Sequence, residues 1–394
     1  MASSSQKYGY EDERFQNTET EVCDFRKVKC HDCGEMKKEI EGIKDQLNQL
    51  NELPEMKDQI SSIKEDMKEV KAMMGEVLHK LNSAEHVAQV PLPVNPTKED
   101  IVIAGGSTSH RYTRSVEKFS WEKKAWAQLP PMKECRQGPS SFVCKNQFFV
   151  AGGYTDSSGR TDTIEVLKID EQPLKWTESP AKLPFECNVH KTVVYQNSLI
   201  HIGGYNDTEG SSDAIFEVLL TPPCPKKLLC RMPQPRLHLG VEIFNDKILI
   251  LGGRSSFSAD NNLDTVFMYD VNKNELKQMP PLPCAVSQMA TVRSGDKVVV
   301  IGGSDKDNKA LSDVLMYDSK TGESNVLPSM LHERYGCSAI ITGNVIVVMG
   351  GWNKKDKYLS SVECFTLGSY SWEELPPMIE PRILGTAVVM PSAF

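Results

Sequence analysis

A pair of adjacent glycines that returns at near-constant spacing constrains this chain more than any other feature. Gly105-Gly106 ends the apolar run Ile101-Val102-Ile103-Ala104, and the ending recurs at Gly152-Gly153, Gly203-Gly204, Gly252-Gly253, Gly302-Gly303 and Gly350-Gly351. From second glycine to second glycine the steps are 47, 51, 49, 50 and 48 residues. That period, with several short apolar runs in each unit, marks repeated units that stack to bury one another's faces. The doublet has a mechanical reason. An apolar strand buried on both faces must turn sharply at its end, and glycine reaches the positive φ that a Cβ disfavours.

Each unit carries strand-sized segments separated by Gly- and Pro-rich turns, which favours an all-β fold. In the second unit these are Gly138 to Cys144, Gln147 to Ala151, Asp162 to Ile169, and Lys175-Trp176-Thr177. A second ruler keeps the register: Phe119 to Trp126, Ile169 to Trp176 and Phe365 to Trp372 are each seven residues apart. Tyr269 to Leu276 and Tyr317 to Ser324 keep the step with other residues. The third unit is the most degenerate, lacking Trp and carrying Pro222-Pro223-Cys224-Pro225. The first unit begins at its second strand, while the chain runs on past the last unit through Arg382 to Met390. That tail is expected to become the innermost strand of the first blade. It would close a six-bladed ring and cover edges that an open array exposes.

Upstream, residues 1–35 read as a disordered, cysteine-containing segment. Cys23, Cys30 and Cys33, with His31 inside the Cys-x-x-Cys knuckle, form an incomplete zinc set, so free thiols are expected. From Met36 the apolar residues step by four and three, and the pattern resumes after Pro54 from Met56 to Leu81. A seam this narrow suits a partner helix. It predicts a self-associating coiled coil over residues 36–83, with a kink or restart at Pro54. Residues 84–99, holding Pro91, Pro93 and Pro96, read as an extended linker before a domain over 100–394.

The net charge of −8 argues against a nucleic-acid or anionic-membrane surface. No apolar run approaches a membrane span, and the N-terminus lacks a signal-peptide pattern. The eleven cysteines show no framework spacing, so reduced thiols and a cytoplasmic setting are expected.

The doublet glycines, the aromatic-x6-Trp step and the turns Leu129-Pro130-Pro131-Met132 and Leu375-Pro376-Pro377-Met378 resemble kelch repeats over about residues 100–392. The resemblance implies an all-β six-bladed kelch β-propeller, here preceded by an α-helical coiled coil. It is similar to the propellers of kelch-like proteins, which in that family recruit substrates to cullin ubiquitin ligases. Other kelch propellers bind actin or act as scaffolds. In this sequence a coiled coil stands where the family carries its BTB and BACK regions. The leading expectation is therefore a non-catalytic protein-binding scaffold. A substrate adaptor of a cullin-type ubiquitin ligase and an actin cross-linker are the alternatives.

In a propeller the loops after the doublets share a face with the turns between blades. The residue after each doublet is Ser107, Tyr154, Tyr205, Arg254, Ser304 or Trp352. Tyr154, Tyr205, Arg254 and Trp352 are of the types that dominate binding hot spots. The inter-blade turns add Arg136, Arg236, Arg334 and Arg382, where kelch-like proteins similarly place arginines facing ligand, while the remaining turns offer Asn188 and Val286. Such a ring could hold a protein partner through an acidic peptide. The competing reading is that these arginines tie down carbonyls between blades. No nucleotide or metalloprotease motif appears. His110, His190, His201, His238 and His332 fall in different repeats at unmatched positions, unlike the Tyr and His copper set of the kelch oxidases. His201 reads as a core residue. A kelch-type sugar mutarotase is the remaining enzyme alternative. No cofactor and no metal ligand are assigned.

Overall fold

The computed structural model describes residues 98–169 and 171–390, together with helical residues 38–39, 41–44 and 68. The expectations for residues 1–35, for most of the coiled coil over 36–83 and for most of the linker fall outside the described residues. Among the described residues, no helix is long and apolar enough to cross a membrane.

The remainder is six antiparallel blades, each built on a meander of four strands. The innermost strands of blades 2 to 6 are Ser140–Cys144, Lys191–Tyr195, Gly240–Phe244, Ala290–Ser294 and Ser338–Thr342. In blade 1 that place is taken by Thr386–Val389, paired antiparallel with Ile101–Ala104 so that Ile101 faces Val389 and Ala104 faces Thr386. The tail closes the ring as the incomplete first unit required.

The second strand of every blade is the apolar run before a doublet, and its buried residues sort into interfaces between neighbours. Phe119, Ile101 and Ile103 of blade 1 share a core with Ile340, Val347 and Met378 of blade 6. Val102 and Ala104, on the opposite face of the same strand, pack against Phe148, Val150 and Trp176 of blade 2. Period-2 alternation thus feeds two wedges from one strand, and no blade buries its faces alone. The seven-residue ruler sets up a cross-strand pair at the wedge's outer end. Phe119 lies opposite Trp126, and Tyr269 opposite Leu276. In blade 2 the longer hairpin moves the register, so Trp176 faces Leu167 rather than Ile169.

The tryptophans also join blades. Trp126 Nε1 donates to Pro376 O at 2.8 Å, Trp176 Nε1 to Pro130 O at 2.9 Å and Trp372 Nε1 to Pro328 O at 2.8 Å, each acceptor lying in the preceding blade. Tyr317 Oη replaces the indole in blade 5, donating to Pro280 O at 2.7 Å. The co-occurrence of Trp and proline turns in the repeat thereby has a cause: the proline carbonyl accepts the buried indole proton.

Seven described cysteines carry free thiols.

Candidate functional site: the loop face around the axis

All twelve doublet glycines adopt positive φ, for example 65° at Gly105 and 99° at Gly106. A Cβ on Gly106 would sit 2.6 Å from Ile383 O, on the backbone of the closing segment. The second glycine of each doublet donates its N–H to the turn that enters the next blade: Gly106 to Arg136 O, Gly153 to Cys187 O, Gly204 to Arg236 O, Gly253 to Val286 O, Gly303 to Arg334 O and Gly351 to Arg382 O, all at 2.7 to 2.9 Å. The next residue after each doublet bridges to the inter-blade turn of its own blade: Ser107 to Ile383, Tyr154 to Gln137, Tyr205 to Asn188, Arg254 to Leu237, Ser304 to Ser287 and Trp352 to Tyr335. The six post-doublet positions therefore ring one face, as the repeat predicted.

Beneath them the turns are tied into a closed collar. Gly138 N donates to Leu384 O, Leu384 N to Gly336 O, Gly336 N to Gln288 O, Gln288 N to His238 O, His238 N to Val189 O and Val189 N to Gly138 O, at 2.7 to 3.0 Å. All six residues hold positive φ, from 50° at Val189 to 63° at Gly138 and Gly336, so only two of these strained positions use glycine. Closure of the ring over-determines the conformation at the other four.

The arginine ring does not face the axis. Arg136, Arg236, Arg334 and Arg382 are 0 to 1 % exposed. Their guanidinium groups point into the wall and donate to the first doublet glycine of their own blade: Arg136 Nη1 to Gly152 O at 2.8 Å, Arg236 to Gly252 O at 2.7 Å, Arg334 to Gly350 O at 2.7 Å and Arg382 to Gly105 O at 2.9 Å. Each arginine's own carbonyl holds the doublet of the preceding blade. These side chains are inter-blade ties, which corrects the expectation that they reach a ligand. Three are neutralised within the wall, Arg136 by Glu165, Arg334 by Glu363 and Arg382 by Glu117. Each glutamate also accepts two backbone N–H groups of a proline turn, as Glu117 does from Ile379 at 2.7 Å and Glu380 at 3.1 Å. Arg236 has no carboxylate in contact and lies over the Phe267 ring at 4.9 Å. Burial lowers its pKa to about 10. The position equivalent to these arginines at the third blade's entry is Cys187, not Asn188, one residue earlier than the spacing suggested. Arg254 is buried as well, its guanidinium held by Ser287 Oγ at 2.7 and 2.9 Å and by Phe257 O at 3.1 Å.

What remains accessible on the rim is aromatic. Tyr154, Tyr205 and Trp352 are half-buried. Tyr154 meets Tyr112 edge-on at 5.4 Å, and Tyr205 meets Phe257, which is 45 % exposed, at 4.6 Å. Trp352 lies tilted against Tyr335 at 5.2 Å and carries Lys357 Nζ over its ring at 5.2 Å. Arg160 links the first two groups, its guanidinium 5.3 Å from the Tyr154 ring and 4.4 Å from Tyr205. It is fixed by Asn188 Oδ1 at 3.0 Å and by Asp207. Sequence reading missed Arg160, Tyr112, Phe257 and Tyr335. Tyr112 and Phe257 lie in post-doublet loops that differ between blades, whereas Arg160 opposite Tyr154 and Tyr335 opposite Trp352 sit at positions whose residue type changes from blade to blade.

The axial cavity below the rim is about 50 Å³, lined in part by His190, Lys191, His238 and Cys337. Small-molecule sites are typically several-fold larger, on the order of 300 Å³ or more. On the innermost strand of blade 4, Glu242 accepts from Thr291 Oγ1 at 2.8 Å. Burial raises its carboxyl to about 7, against the pull of that hydrogen bond, Lys191 and Arg293. One cluster of metal-capable side chains occurs among the described residues, formed by Cys187, His190 and His201. His190 and His201 thus come together although the sequence placed them at unrelated positions.

Comparison with known proteins follows the same architecture. Residues 138–323 and 189–390 match the family described as the KLHDC2/KLHL20/DRC7 Kelch-repeats domain, and residues 94–133 match the Kelch motif. Kelch-like protein 41b of Danio rerio is 26% identical over 229 residues, covering 56% of this chain and 36% of that protein. Kelch-like protein 35 of Mus musculus is 25% identical over 189 residues, covering 48% and 31%. Kelch-like protein terF of Aspergillus terreus is 24% identical over 221 residues, covering 52% and 48%. The chain spans about a third to a half of the length of these relatives. The structure of YjhT superposes with a TM-score of 0.58 at 14% identity, covering 66% of this chain and 88% of that one, a likeness of fold.

Proposed function

The chain belongs to the kelch-repeat family, and from that premise we propose that it is a non-catalytic binding protein whose loop face receives a segment of a protein partner. The observation that carries this reading is the accessible rim of Tyr112, Tyr154, Tyr205, Phe257 and Trp352 around a closed hub. Aromatic anchors in a ring supply large contact area at low conformational cost, the composition of binding hot spots. The partner segment is one with apolar or aromatic side chains rather than a purely acidic one, because the wall arginines are occupied. The rim carries both signs of charge: Lys357 lies over Trp352, Arg111 pairs with Glu380, and Asp207 pairs with Arg160. The small size of the axial cavity supports binding over sugar chemistry.

Self-association through the heptad pattern of residues 36–83 and a cytoplasmic setting complete the proposal. Several propellers on one stalk would raise avidity through effective concentration. The test is quantitative capture of partners from native extract by wild type and by Tyr205→Ser and Trp352→Ser variants. Retention should fall at least about tenfold, as for loss of one hot spot, with the unfolding midpoint nearly unchanged. Equal retention in both variants would refute the rim. Light scattering on the full chain and on residues 90–394 should give different subunit counts. Identical counts would refute the stalk.

A further inference from the structure

Three residues that break the repeat converge on one spot between blades 2 and 3. Cys187 stands where four other blades place the tie arginine, as its carbonyl shows by accepting from Gly153 N at 2.8 Å. His201 stands two residues before its doublet, where the other strands carry Ile103, Val150, Ile250, Val300 and Val348. His190 occupies the turn position of Pro139, Leu239 and Met289. All three are buried, Cys187 and His201 with no accessible surface. An imidazole in the middle of an apolar strand is costly unless its ring nitrogens are satisfied.

Cys187 Sγ lies 3.5 Å from His190 Nδ1 and 3.4 Å from His201 Nε2, and the three donor atoms fall within 4.8 Å of one another. Metal–sulfur and metal–nitrogen bonds of about 2.3 and 2.0–2.1 Å set at tetrahedral to trigonal angles give ligand edges of about 3.6 to 3.8 Å. The two S···N edges are therefore near coordination spacing before any ion is present. Hydrogen bonding alone serves the cluster poorly. One thiol proton is available to two imidazoles, and His190 Nε2 and His201 Nδ1 find no protein partner. His190 borders the axial cavity, which gives an ion a route in.

We propose that Cys187, His190 and His201 form a buried three-coordinate site for a single soft monovalent cation, Cu⁺. The charge decides the cation. One thiolate and two neutral imidazoles carry one negative charge, so Cu⁺ leaves the site neutral whereas Zn²⁺ leaves a net positive charge out of water. Asp162 and Arg160 act on Cys187 in opposite directions and Lys191 adds a positive charge beside His190, so no net negative charge is supplied to balance a divalent ion. Zinc also wants a fourth ligand, and three converge here. A soft thiolate with imidazole suits Cu⁺ at low coordination number. Binding exchanges the thiol proton for the metal: the S–H bond breaks, the S–Cu bond forms, and the proton leaves to channel water. No electron moves.

The experiment uses the full chain, anaerobic and reduced, titrated with Cu⁺ against a chromophoric Cu⁺ chelator strong enough to strip exposed thiols. Wild type should retain one equivalent more than His201→Val, which restores the residue type of the other strands, and one more than Cys187→Ser. Cu⁺ should raise the unfolding midpoint of wild type and leave both variants where they were. X-ray absorption at the copper edge on wild type needs no variant and should show one sulfur and two nitrogens. Equal retention by folded wild type and folded His201→Val, or a shell of two or more sulfurs, would overturn the site. Tighter retention of Zn²⁺ than of Cu⁺ would overturn the choice of cation.

Discussion

Replacing Arg334 by alanine removes a guanidinium that donates to Gly350 O, Ser361 O, Ser361 Oγ and Glu363. What stays behind is the Glu363 carboxylate, with no accessible surface, held by Leu331 N at 2.6 Å and His332 N at 3.2 Å but by no cation. Breaking a buried pair from one side costs about 3–5 kcal/mol, because a charge is stranded out of water. The same substitution at Arg236 strands no carboxylate in contact with it. It exposes the Gly252 and Thr265 carbonyls to loss of a donor and ends a cation–π contact, but it also removes a charge whose burial is costly. About 1–2 kcal/mol is expected there. Urea unfolding of the full chain should therefore rank Arg334→Ala below Arg236→Ala by about 2 kcal/mol or more. The double variant Arg334→Met with Glu363→Gln should recover part of the loss, since no unpaired charge remains and the amide oxygen can still accept from the Leu331 or His332 N–H. If the two single variants unfold alike, or both match wild type, the arginines are not wall ties and their reading as ligand contacts returns.

Glu242 gives a pH prediction of fixed sign. Its folded pKa, about 7, lies above the ordinary carboxyl value, so its contribution is fully present below about pH 4.5 and is lost as pH rises through 7. Glu242→Gln keeps the Thr291 contact without the charge. It should match wild type near pH 5 and exceed it at pH 8 by up to about 3 kcal/mol, read by urea unfolding at both values; a constant difference would contradict the assignment. Gly106→Ala combines a φ of 99° with a Cβ 2.6 Å from Ile383 O, and it should cost about 2–4 kcal/mol in the same assay. A loss below about 0.5 kcal/mol would show that the doublet is not held against the closing segment.

The architecture was readable because its determinants repeat. A doublet that recurs six times, a missing first strand and an unused tail leave little freedom in how the ends meet. The face assignment of Tyr154, Tyr205 and Trp352 came with it, since each follows a doublet. Of the two readings that the sequence left open for the arginines, it could not single out the carbonyl ties. Arg136 and Arg334 look like surface residues in sequence, and only the third strand of the blade reveals Glu165 and Glu363 as their partners. Those glutamates were hidden because a charged residue in a strand is ordinarily a solvated one. The convergence of Cys187, His190 and His201 was hidden for a related reason. Hairpin pairing carries His201 back beside the turn, and spacing along the chain does not encode that approach. Arg160, reaching between Tyr154 and Tyr205, sits on a post-doublet hairpin where blades 3 and 6 carry Ser211 and Tyr358, so the repeat does not specify it.

Hydrogen exchange on the full chain, following the peptide that spans residues 384–390, addresses the ring itself. Paired with Ile101–Ala104 and flanked by the innermost strands of blades 2 and 6, these amides should exchange as slowly as those of Val345–Met349 in the core of blade 6. Exchange at the rate of an unpaired chain terminus, with Val345–Met349 still protected, would mean that the tail does not seal the propeller.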